Sequence, residues 1–473
     1  MTNGAAESLT DQRGLGGIIA LDGFDYQTWD LICRIPVWLA NPVFESAIYE
    51  GLEDFEVRFF APHAPKGSVL ERYQAKQSVL TPAETKVVFG SFKSFDQNNP
   101  SIARLQCLVM PGLPPSLSWM TRHIDRVRNA RPFYAPFASL LATSDEALRT
   151  RLEDEFPDGL GSFVAENVDL SLRSYINREQ AFLAFQTALD AAFPSLEASS
   201  RSARVAFDAL ESLVRRSVGT AMGGGQLQRA MEQALGCPLG LPLSLPLLVR
   251  SDRSESDETK LEIDASVFSG GDYPYPEPPV WTSQLIAPLA ATAGWLAKKN
   301  QFGIALSGNY RLSTATVLGW SFRSASGFDL EIPTKDGSWS TDDRPGTSDP
   351  TPQWIIQQAT ILHIDRLVVS IGVLRDPAPT LTGRLGIPEQ AILSLHLANP
   401  LTSAKEAQAS VTYIKRSIDL AIARLSPKEI DLFFVGPAAL AVALGHRWNA
   451  LPPTQLHEFS SRKGTYLPSA LLS

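Results

Sequence analysis

Glu50, Asp54, Gln74 and Lys76 are the residues of this chain whose types and spacing fit one chemistry best. They lie in two short segments, Tyr49-Glu50-Gly51-Leu52-Glu53-Asp54-Phe55-Glu56-Val57 and Tyr73-Gln74-Ala75-Lys76. Side chains alternate faces along a strand, so Gln74 and Lys76 project together if the second segment is extended. If the two segments pair, Asp54 meets them at one edge. Hydrolysis of a phosphodiester needs a divalent metal on carboxylate oxygens, an activated water and a cation beside the developing negative charge. In that chemistry Asp54 ligates Mg2+ (or Mn2+), Gln74 offers an amide oxygen or orients water, and Lys76 stabilises the transition state. Strand alternation places Glu50 on the Asp54 face and Glu53 on the other, which favours Glu50 as a further acidic ligand. A carboxylate-rich strand end followed by an amphipathic strand ending in Lys also occurs with no chemistry, so spacing alone leaves both readings open.

The elements that must position these residues are legible around them. Phe24, Trp29, Leu31, Ile32, Ile35 and Leu39 recur at helical spacing, with Pro36 placed to kink or shorten that helix. Ala47–Phe60 and Val69–Gln77 read as strands around the turn-rich Ala61–Gly67. Thr121–Pro132 holds Arg122, Arg126, Arg128 and Arg131 against the single Asp125. Arg122 and Arg126 share one helix face at i,i+4 and could track phosphates, with a solvated arginine-rich helix as the equal alternative. Residues 134–235 turn Ala/Leu-rich and helical, as in Glu179–Ala192 and Ala203–Val218, and strand signals nearly vanish. The proline-bearing Gly236–Val249 and the polar Ser251–Lys260 mark a boundary.

Beyond it the pattern alternates. Gln301–Ser307, Leu367–Leu374, Ile392–Leu397 and Ile430–Val435 read as strands, and Ser313–Phe322, Lys405–Arg424 and Ala438–Trp448 as helices. Such alternation argues for parallel-sheet units. The steps Ile304–Gly319 and Leu432–Gly445 suggest equivalent halves of one doubled domain, with Ser338–Pro352 as a loop between them. Ser307-Gly308-Asn309-Tyr310-Arg311-Leu312-Ser313 enters a helix through a glycine-bearing turn, and Gly436-Pro437 does so in the corresponding place. Free N–H groups and the helix dipole favour anions there, and Arg311 would add a bidentate phosphate donor. Most such turns bind nothing. Trp320, Trp339 and Trp448 are more readily core residues than base-stacking platforms.

Composition bounds these readings. The chain has 473 residues, 44% hydrophobic and 19% charged, enough to bury a core in two or three domains. Cys33, Cys107 and Cys237 are too few and too far apart for a disulfide framework or a paired-cysteine zinc site. The six histidines show no metal spacing. The net charge of −8 (42 basic against 50 acidic residues) disfavours a globally basic nucleic-acid coat and leaves a local groove open. Met1–Gln12 shows no targeting pattern and no apolar run approaches a membrane span of about 20 residues, so a soluble cytoplasmic protein with no membrane is expected.

The N-terminal segments resemble the PD-(D/E)xK nuclease superfamily, in the Mrr-like variant whose last motif is Q-x-K. The resemblance rests on Gly23-Phe24 through Tyr26-Gln27, then "YEGLEDFEV", then "YQAKQ". It implies Asp54 as the metal-binding acid, Gln74 in place of the second acid, Lys76 as the catalytic lysine, and Gln27 as a polar helix residue near the metal. From about Lys260 onward, "LEIDASVF", "PVWTSQLIAPL", "RLSTATVLGWSFRSASGFDLEI", "IDLFFVGPAALAVALGHRW" and "LHEF" resemble SAVED domains, which bind cyclic oligonucleotide messengers. That implies a pocket lined or approached by Ser307, Asn309, Arg311, Ser313, Gly436 and Pro437.

Together the resemblances imply a mixed α/β chain. A restriction-endonuclease-like α/β/α core (13–133) is followed by a helical segment (134–235). A SAVED domain of two fused CARF-like, Rossmann-like halves (236–345 and 346–473) closes the chain. The function implied is that of an effector of cyclic-oligonucleotide-based antiphage signalling (CBASS). A cyclic di- or trinucleotide made by a partner CD-NTase-type nucleotidyltransferase drives self-association, and the nuclease modules cut double-stranded DNA with Mg2+. A type IV-like restriction enzyme reading modified DNA, and a catalytically dead ligand-binding scaffold, are the alternatives.

Overall fold

The computed structural model of the protein describes residues 12–473 apart from 52, 65, 101, 129–137, 176, 252–260, 270–275, 336 and 344–351. The N-terminal tail, Arg131, most of the polar run after Ser251 and much of the loop before Pro352 therefore lie outside the described residues. The chain divides into two units, Met1–Leu241 and Pro242–Ser473.

The first unit opens with helix α1 (Gln12–Ala40), strands β1 (Phe44–Tyr49), β2 (Phe55–Phe60) and β3 (Ser68–Ala75), helix α2 (Pro82–Asn98) and strand β4 (Ala103–Met110). Helices α3 (Trp119–Arg128), α4 (Ala138–Glu155) and α5 (Leu160–Asn167) lead to β5 (Val168–Leu172). Helices α6 (Arg178–Ala192) and α7 (Ser200–Arg216), strand β6 (Ala221–Gly223) and helix α8 (Gly224–Leu235) complete it. One sheet runs β5-β4-β3-β2-β1-β6. Strands β3, β4 and β5 are parallel, and the remaining neighbours antiparallel.

Both faces of this sheet are covered. On one, Trp38 of α1 packs on Phe44, Phe55 and Tyr73, and α6 and α7 pack on α1. On the other, Leu108 and Met110 of β4 bury against Phe89 of α2, Met120 of α3, Leu152 of α4 and Phe163 of α5. Helix α2 starts sharply because Pro82 follows a reciprocal cap between Thr81 and Glu84. Arg34 fastens α1 to the sheet: it pairs with buried Asp30 at 2.8 Å, donates to Ser171 of β5 and lies over the Tyr73 ring of β3.

Three sequence readings need correction here. Helix α1 continues through Pro36 to Ala40, because Ile35, Trp38 and Leu39 around the proline are buried against the sheet. Phe24 faces outward at 47% exposure and is not part of the buried stripe, to which Tyr26 belongs. The region 134–235 supplies β5 and β6, of five and three residues, too short to show a period and defined by pairing with β4 and β1.

The second unit has two sheets. Strands β7 (Ser244–Arg250) and β8 (Leu261–Asp264) precede helices α9 (Pro278–Trp281) and α10 (Ala287–Lys298). Strand β9 (Gly303–Gly308), helix α11 (Leu312–Ser321), and strands β10 (Asp329–Thr334) and β11 (Gly337–Ser340) follow. The second sheet takes β12 (Ile355–Gln357), β13 (Arg366–Val373), β14 (Ile392–Leu397), β15 (Glu429–Val435), β16 (Thr454–Ser460) and β17 (Thr465–Leu472). Its helices are α12 (Ala378–Leu385), α13 (Ala404–Leu425) and α14 (Ala438–His446).

The strand orders are β11-β10-β9-β7-β8 and β12-β14-β13-β15-β16-β17. Setting aside β12, they are the same order: β7 to β11 correspond in sequence to β13 to β17, with parallel pairs inside and an antiparallel last strand in each. Helices α11 and α14 then occupy equivalent places, and both are buried along most of their length. Each has a glycine at its eighth residue, Gly319 and Gly445, where the two backbones meet.

His446 ends α14 fully buried, its Nδ1 2.6 Å from the Phe322 carbonyl. Burial pushes its pKa down to about 4, Arg447 adds to this, and the Phe322 carbonyl opposes it. The unfolded imidazole takes a proton near pH 6.5, so this group's stabilisation is complete above that pH and is lost as pH falls toward 4. The loss amounts to about 3 kcal/mol. Thermal melts between pH 7 and 4.5 are expected to show this decline, and His446→Gln to flatten it; an equally steep decline in the variant would contradict the assignment.

Candidate active site and ligand cavity

The first cluster forms where β1, β2 and β3 end together. Tyr49 closes β1, and the chain turns at once: Glu50 has φ 54, and its N–H donates to the Asp54 carbonyl at 2.8 Å. Glu50 thus belongs to a tight turn and not to the strand whose alternation suggested its face. Asp54 accepts from the Ala75 N–H at 2.6 Å, which seats its carboxylate between Gln74 and Lys76. The β2–β3 register, Phe55 opposite Tyr73, carried one step further sets Asp54 opposite Gln74. The Gln27 side chain reaches from α1 toward the Asp54 carboxylate and favours its charged form. Thr28 and Tyr49 hold that part of α1 to the β1 end, Thr28 donating to the Tyr49 hydroxyl at 3.0 Å.

The electrostatics of this spot are distinctive. Burial pushes the Asp54 carboxyl above its ordinary range, against the pull of Lys76, the Ala75 N–H and Gln27. Glu50 is pushed up by burial and by the Asp54 charge, with Lys76 opposing. Among the described residues, Oε1 of Gln27, of Glu50 and of Gln74 are all buried without a hydrogen-bond partner. Buried acceptors left unpaired are rare, and each calls for an absent partner. Oxygens of this kind beside a carboxylate fit a hard divalent cation such as Mg2+, which takes oxygen ligands. Among the described residues no three His, Cys, Asp or Glu side chains form a metal-holding group; the donors here are two carboxylates and amide oxygens.

Glu53 feels the charges of Asp54 and Lys76 but is engaged by another partner. It pairs with Arg72 at 2.5 Å, and Arg72 in turn bonds Gln106 Oε1 at 3.1 Å and lies 3.6 Å from the Phe95 ring centroid. On helix α3, Met120 and Ile124 are buried while Arg122 and Arg126 are exposed on its outer side. The side chain of Arg128 lies outside the described residues.

The second site is a cavity of ≈ 580 Å3 in the second unit. It opens where parallel strands of both sheets end, the usual ligand position in such sheets. Asn309 and Arg311 enter it from the β9–α11 turn, and Arg375, Glu458, Phe459 and Tyr466 from the second half. Of the other residues read from the sequence, Ser307 donates to the Leu247 carbonyl at 3.3 Å, Ser313 is buried, and Pro437 caps α14. These three and Gly436 are not among the residues lining the cavity.

The N-terminus of α11 is occupied from within the protein: the Ser313 N–H donates to Glu458 Oε2 at 2.9 Å. Burial raises Glu458 above the carboxylate range despite Ser313 and Arg311. Arg311 Nε donates to the Ser269 carbonyl. Burial pushes Tyr310 and Tyr466 up to about 12, so both remain neutral hydroxyl groups near pH 7. Trp448 is core, its Nε1 on Thr454, and neither Trp320 nor Trp339 lines the cavity. Sequence reading missed Arg375 and Glu458, although one directly follows a strand read correctly and the other lies within "LHEF".

Residues 289–472 match the model of the SMODS-associated and fused to various effectors sensor domain, SAVED. The second unit carries a SAVED domain. Similarity extends beyond it. The chain is 25% identical to CD-NTase-associated protein 4 of Moraxella osloensis, over 98% of this chain and 99% of that protein. A protein of the same name from an Acinetobacter species is 24% identical over the same shares. Among solved structures, the Acinetobacter baumannii Cap4 SAVED/CARF-domain containing receptor with the cyclic trinucleotide 2'3'3'-cAAA has a TM-score of 0.80 at 22% identity, covering 95% of this chain and 98% of that one. The Moraxella osloensis Cap4 receptor has a TM-score of 0.77 at 23% identity, covering 96% and 100%. The fold is therefore the mixed α/β fold of these receptors. Among the described residues no helix is long and apolar enough to cross a membrane.

Proposed function

We propose that this protein is a cyclic-oligonucleotide-activated, metal-dependent endonuclease that cuts double-stranded DNA in antiphage defence. The observation that carries the nuclease reading is the set of unpartnered buried oxygens on Gln27, Glu50 and Gln74 grouped with Asp54 and Lys76. The order α1-β1-β2-β3-α2-β4, with β3 and β4 parallel, fits the core of PD-(D/E)xK enzymes, residues 13–133, with 134–235 completing the module. The sensor reading, for 236–473, rests on the SAVED match, on the full-length similarity to Cap4 proteins and on a cavity holding two arginines.

Asp54, Glu50 and the Gln74 amide oxygen would hold the cation, which would supply Lewis acidity toward the scissile phosphate. Lys76 places a positive charge where the phosphorane charge develops. Gln27 fixes the Asp54 carboxylate, and the Ala75 N–H keeps it aimed. Arg122, Arg126 and Arg128 would follow the DNA backbone. Residues 1–150 carry 14 Lys+Arg against 16 Asp+Glu, which disfavours DNA binding by a lone module. Assembly driven by a cyclic di- or trinucleotide would overcome this by bringing several grooves together. The messenger's source is a partner nucleotidyltransferase of the CD-NTase type.

Glu50 and Glu53 give a direct test. Glu50→Gln is expected to weaken Ca2+ binding by about tenfold or more, since a charged ligand contributes at least about 1.4 kcal/mol, with thermal stability unchanged or raised. Glu53→Gln is expected to cost about 3 kcal/mol of stability by stranding buried Arg72 and to keep most Ca2+ affinity. Calorimetric titration and thermal melts of both variants check this; the opposite assignment of the two effects would sink the ligand set.

A further inference from the structure

We infer that Arg375 is the second half's phosphate clamp, aimed into the cavity by a strained turn at Leu374. The inference rests on the cavity being the messenger site. Strand β13 ends at Val373, and Leu374 follows with φ 67, a left-handed conformation that leucine adopts only at a cost. Leucine gains little from packing there, because it is 62% exposed.

The turn is held from three sides. The Leu374 N–H donates to the Leu397 carbonyl at 2.8 Å, at the end of neighbouring β14. A Cβ on Gly372 would lie 2.2 Å from the Arg375 carbonyl oxygen, so the chain doubles back tightly and only glycine fits. Asp376 Oδ1 accepts from the Ala378 N–H at 2.9 Å and fixes the chain beyond. Backbone strain kept by surrounding contacts clusters at functional positions. What this turn presents is one guanidinium, in the cavity wall and 5.6 Å from the Phe459 ring centroid.

The chemistry of the ligand follows from the charges around it. Among the described residues that line this cavity, Arg311 of the first half and Arg375 of the second stand with one carboxylate, Glu458, already engaged at the start of α11. Arg311 is tethered to the Ser269 carbonyl. A ligand bridging the halves must therefore be anionic at two places, as the phosphodiesters of a cyclic oligonucleotide are, and guanidinium groups match phosphate oxygens in pairs. Phe459 and Tyr466 beside Arg375 offer flat surfaces to a base.

The test titrates the full chain with 3'3'3'-cAAA and 2'3'3'-cAAA, the trinucleotides held by the Acinetobacter baumannii receptors. Arg375→Ala should weaken binding about 10- to 100-fold, as for loss of a charge-assisted bond to phosphate, and reduce its salt dependence. Leu374→Gly should weaken it about two- to fivefold through added backbone freedom, at an unchanged or higher melting temperature. Leu374→Asn, which enters the left-handed region readily, should keep near-native affinity. Wild-type affinity in Arg375→Ala overturns the clamp, and wild-type affinity in Leu374→Gly overturns the role of the turn. A wild-type chain that binds neither trinucleotide, nor any of a panel of cyclic dinucleotides, overturns the messenger reading instead.

Discussion

Lys76→Ala is expected to lower messenger-dependent DNA cleavage by about 10³-fold, the scale set by removing one donor to a developing anion. Nothing else should change much. Lys76 lies just past β3, where its N–H donates to the Val109 carbonyl at 2.7 Å, and that backbone bond survives the substitution. Its side chain sits near Asp54 and Glu50, two carboxyls that burial already disfavours as anions. Removing the ammonium therefore raises both carboxyls further and weakens the anionic site a cation needs. Cleavage rates, Ca2+ affinity and melting temperature measured on the same preparation separate these effects. The catalytic reading expects the rate to collapse, metal affinity to fall modestly and the melting temperature to hold. A variant that cleaves like the wild type would end the nuclease assignment.

Gly319→Ala is expected to cost the second unit at least about 3 kcal/mol, at the upper end for forcing extra atoms into a packed core. A Cβ on Gly319 would lie 2.0 Å from the Val442 carbonyl oxygen and 2.6 Å from the His446 nitrogen. The reciprocal contact is as close: a Cβ on Gly445 would lie 2.1 Å from the Thr316 carbonyl oxygen. Both obstacles are helix backbone, which cannot rotate away as a side chain can. Helices α11 and α14 would have to separate, opening the centre of the doubled unit beneath the cavity. Gly445→Ala should behave alike. Gly294→Ala, on α10 where nothing lies within 4 Å of a new Cβ, should leave the melting temperature nearly unchanged and serves as the control. Equal melting temperatures for all three variants would contradict the crossing.

Residues that act through local spacing were easiest to read in the sequence. Asp54, Gln74 and Lys76 stand within one hairpin and its next strand, so period-two alternation and a single pairing suffice to bring them together. The equivalence of the steps at Ile304 and Leu432 was visible because each is a strand, a glycine-bearing turn and a helix of similar length. Glu50 departs from this rule. A strand pattern gave it a face, but it sits in a left-handed turn, and its proximity to Asp54 and Lys76 comes from that turn. The cavity was harder still, because its walls come from strands far apart in sequence. No local signal assigns Arg375 to the cavity, Glu458 shows only as part of the segment Leu456–Phe459, and the helix N-terminus that suggested a phosphate at Ser313 proves to hold Glu458. Short edge strands such as β6 exist through pairing alone and leave almost no trace in composition.

The acidic balance of the chain ties both sites together. A protein at −8 whose first 150 residues are also slightly negative is poorly suited to hold DNA continuously. Under the proposed function, messenger binding at the cavity would set the condition under which cutting begins. The most direct measurement of that claim follows supercoiled plasmid incubated with the wild-type chain and Mg2+, with and without each member of a panel of cyclic di- and trinucleotides, and with EDTA as the metal-free arm. The account predicts intact plasmid without messenger or with EDTA, and rapid conversion to linear and shorter fragments when Mg2+ and one particular messenger are both present. Equal cleavage with and without every messenger, or a plasmid left intact under a messenger that demonstrably binds, would contradict it.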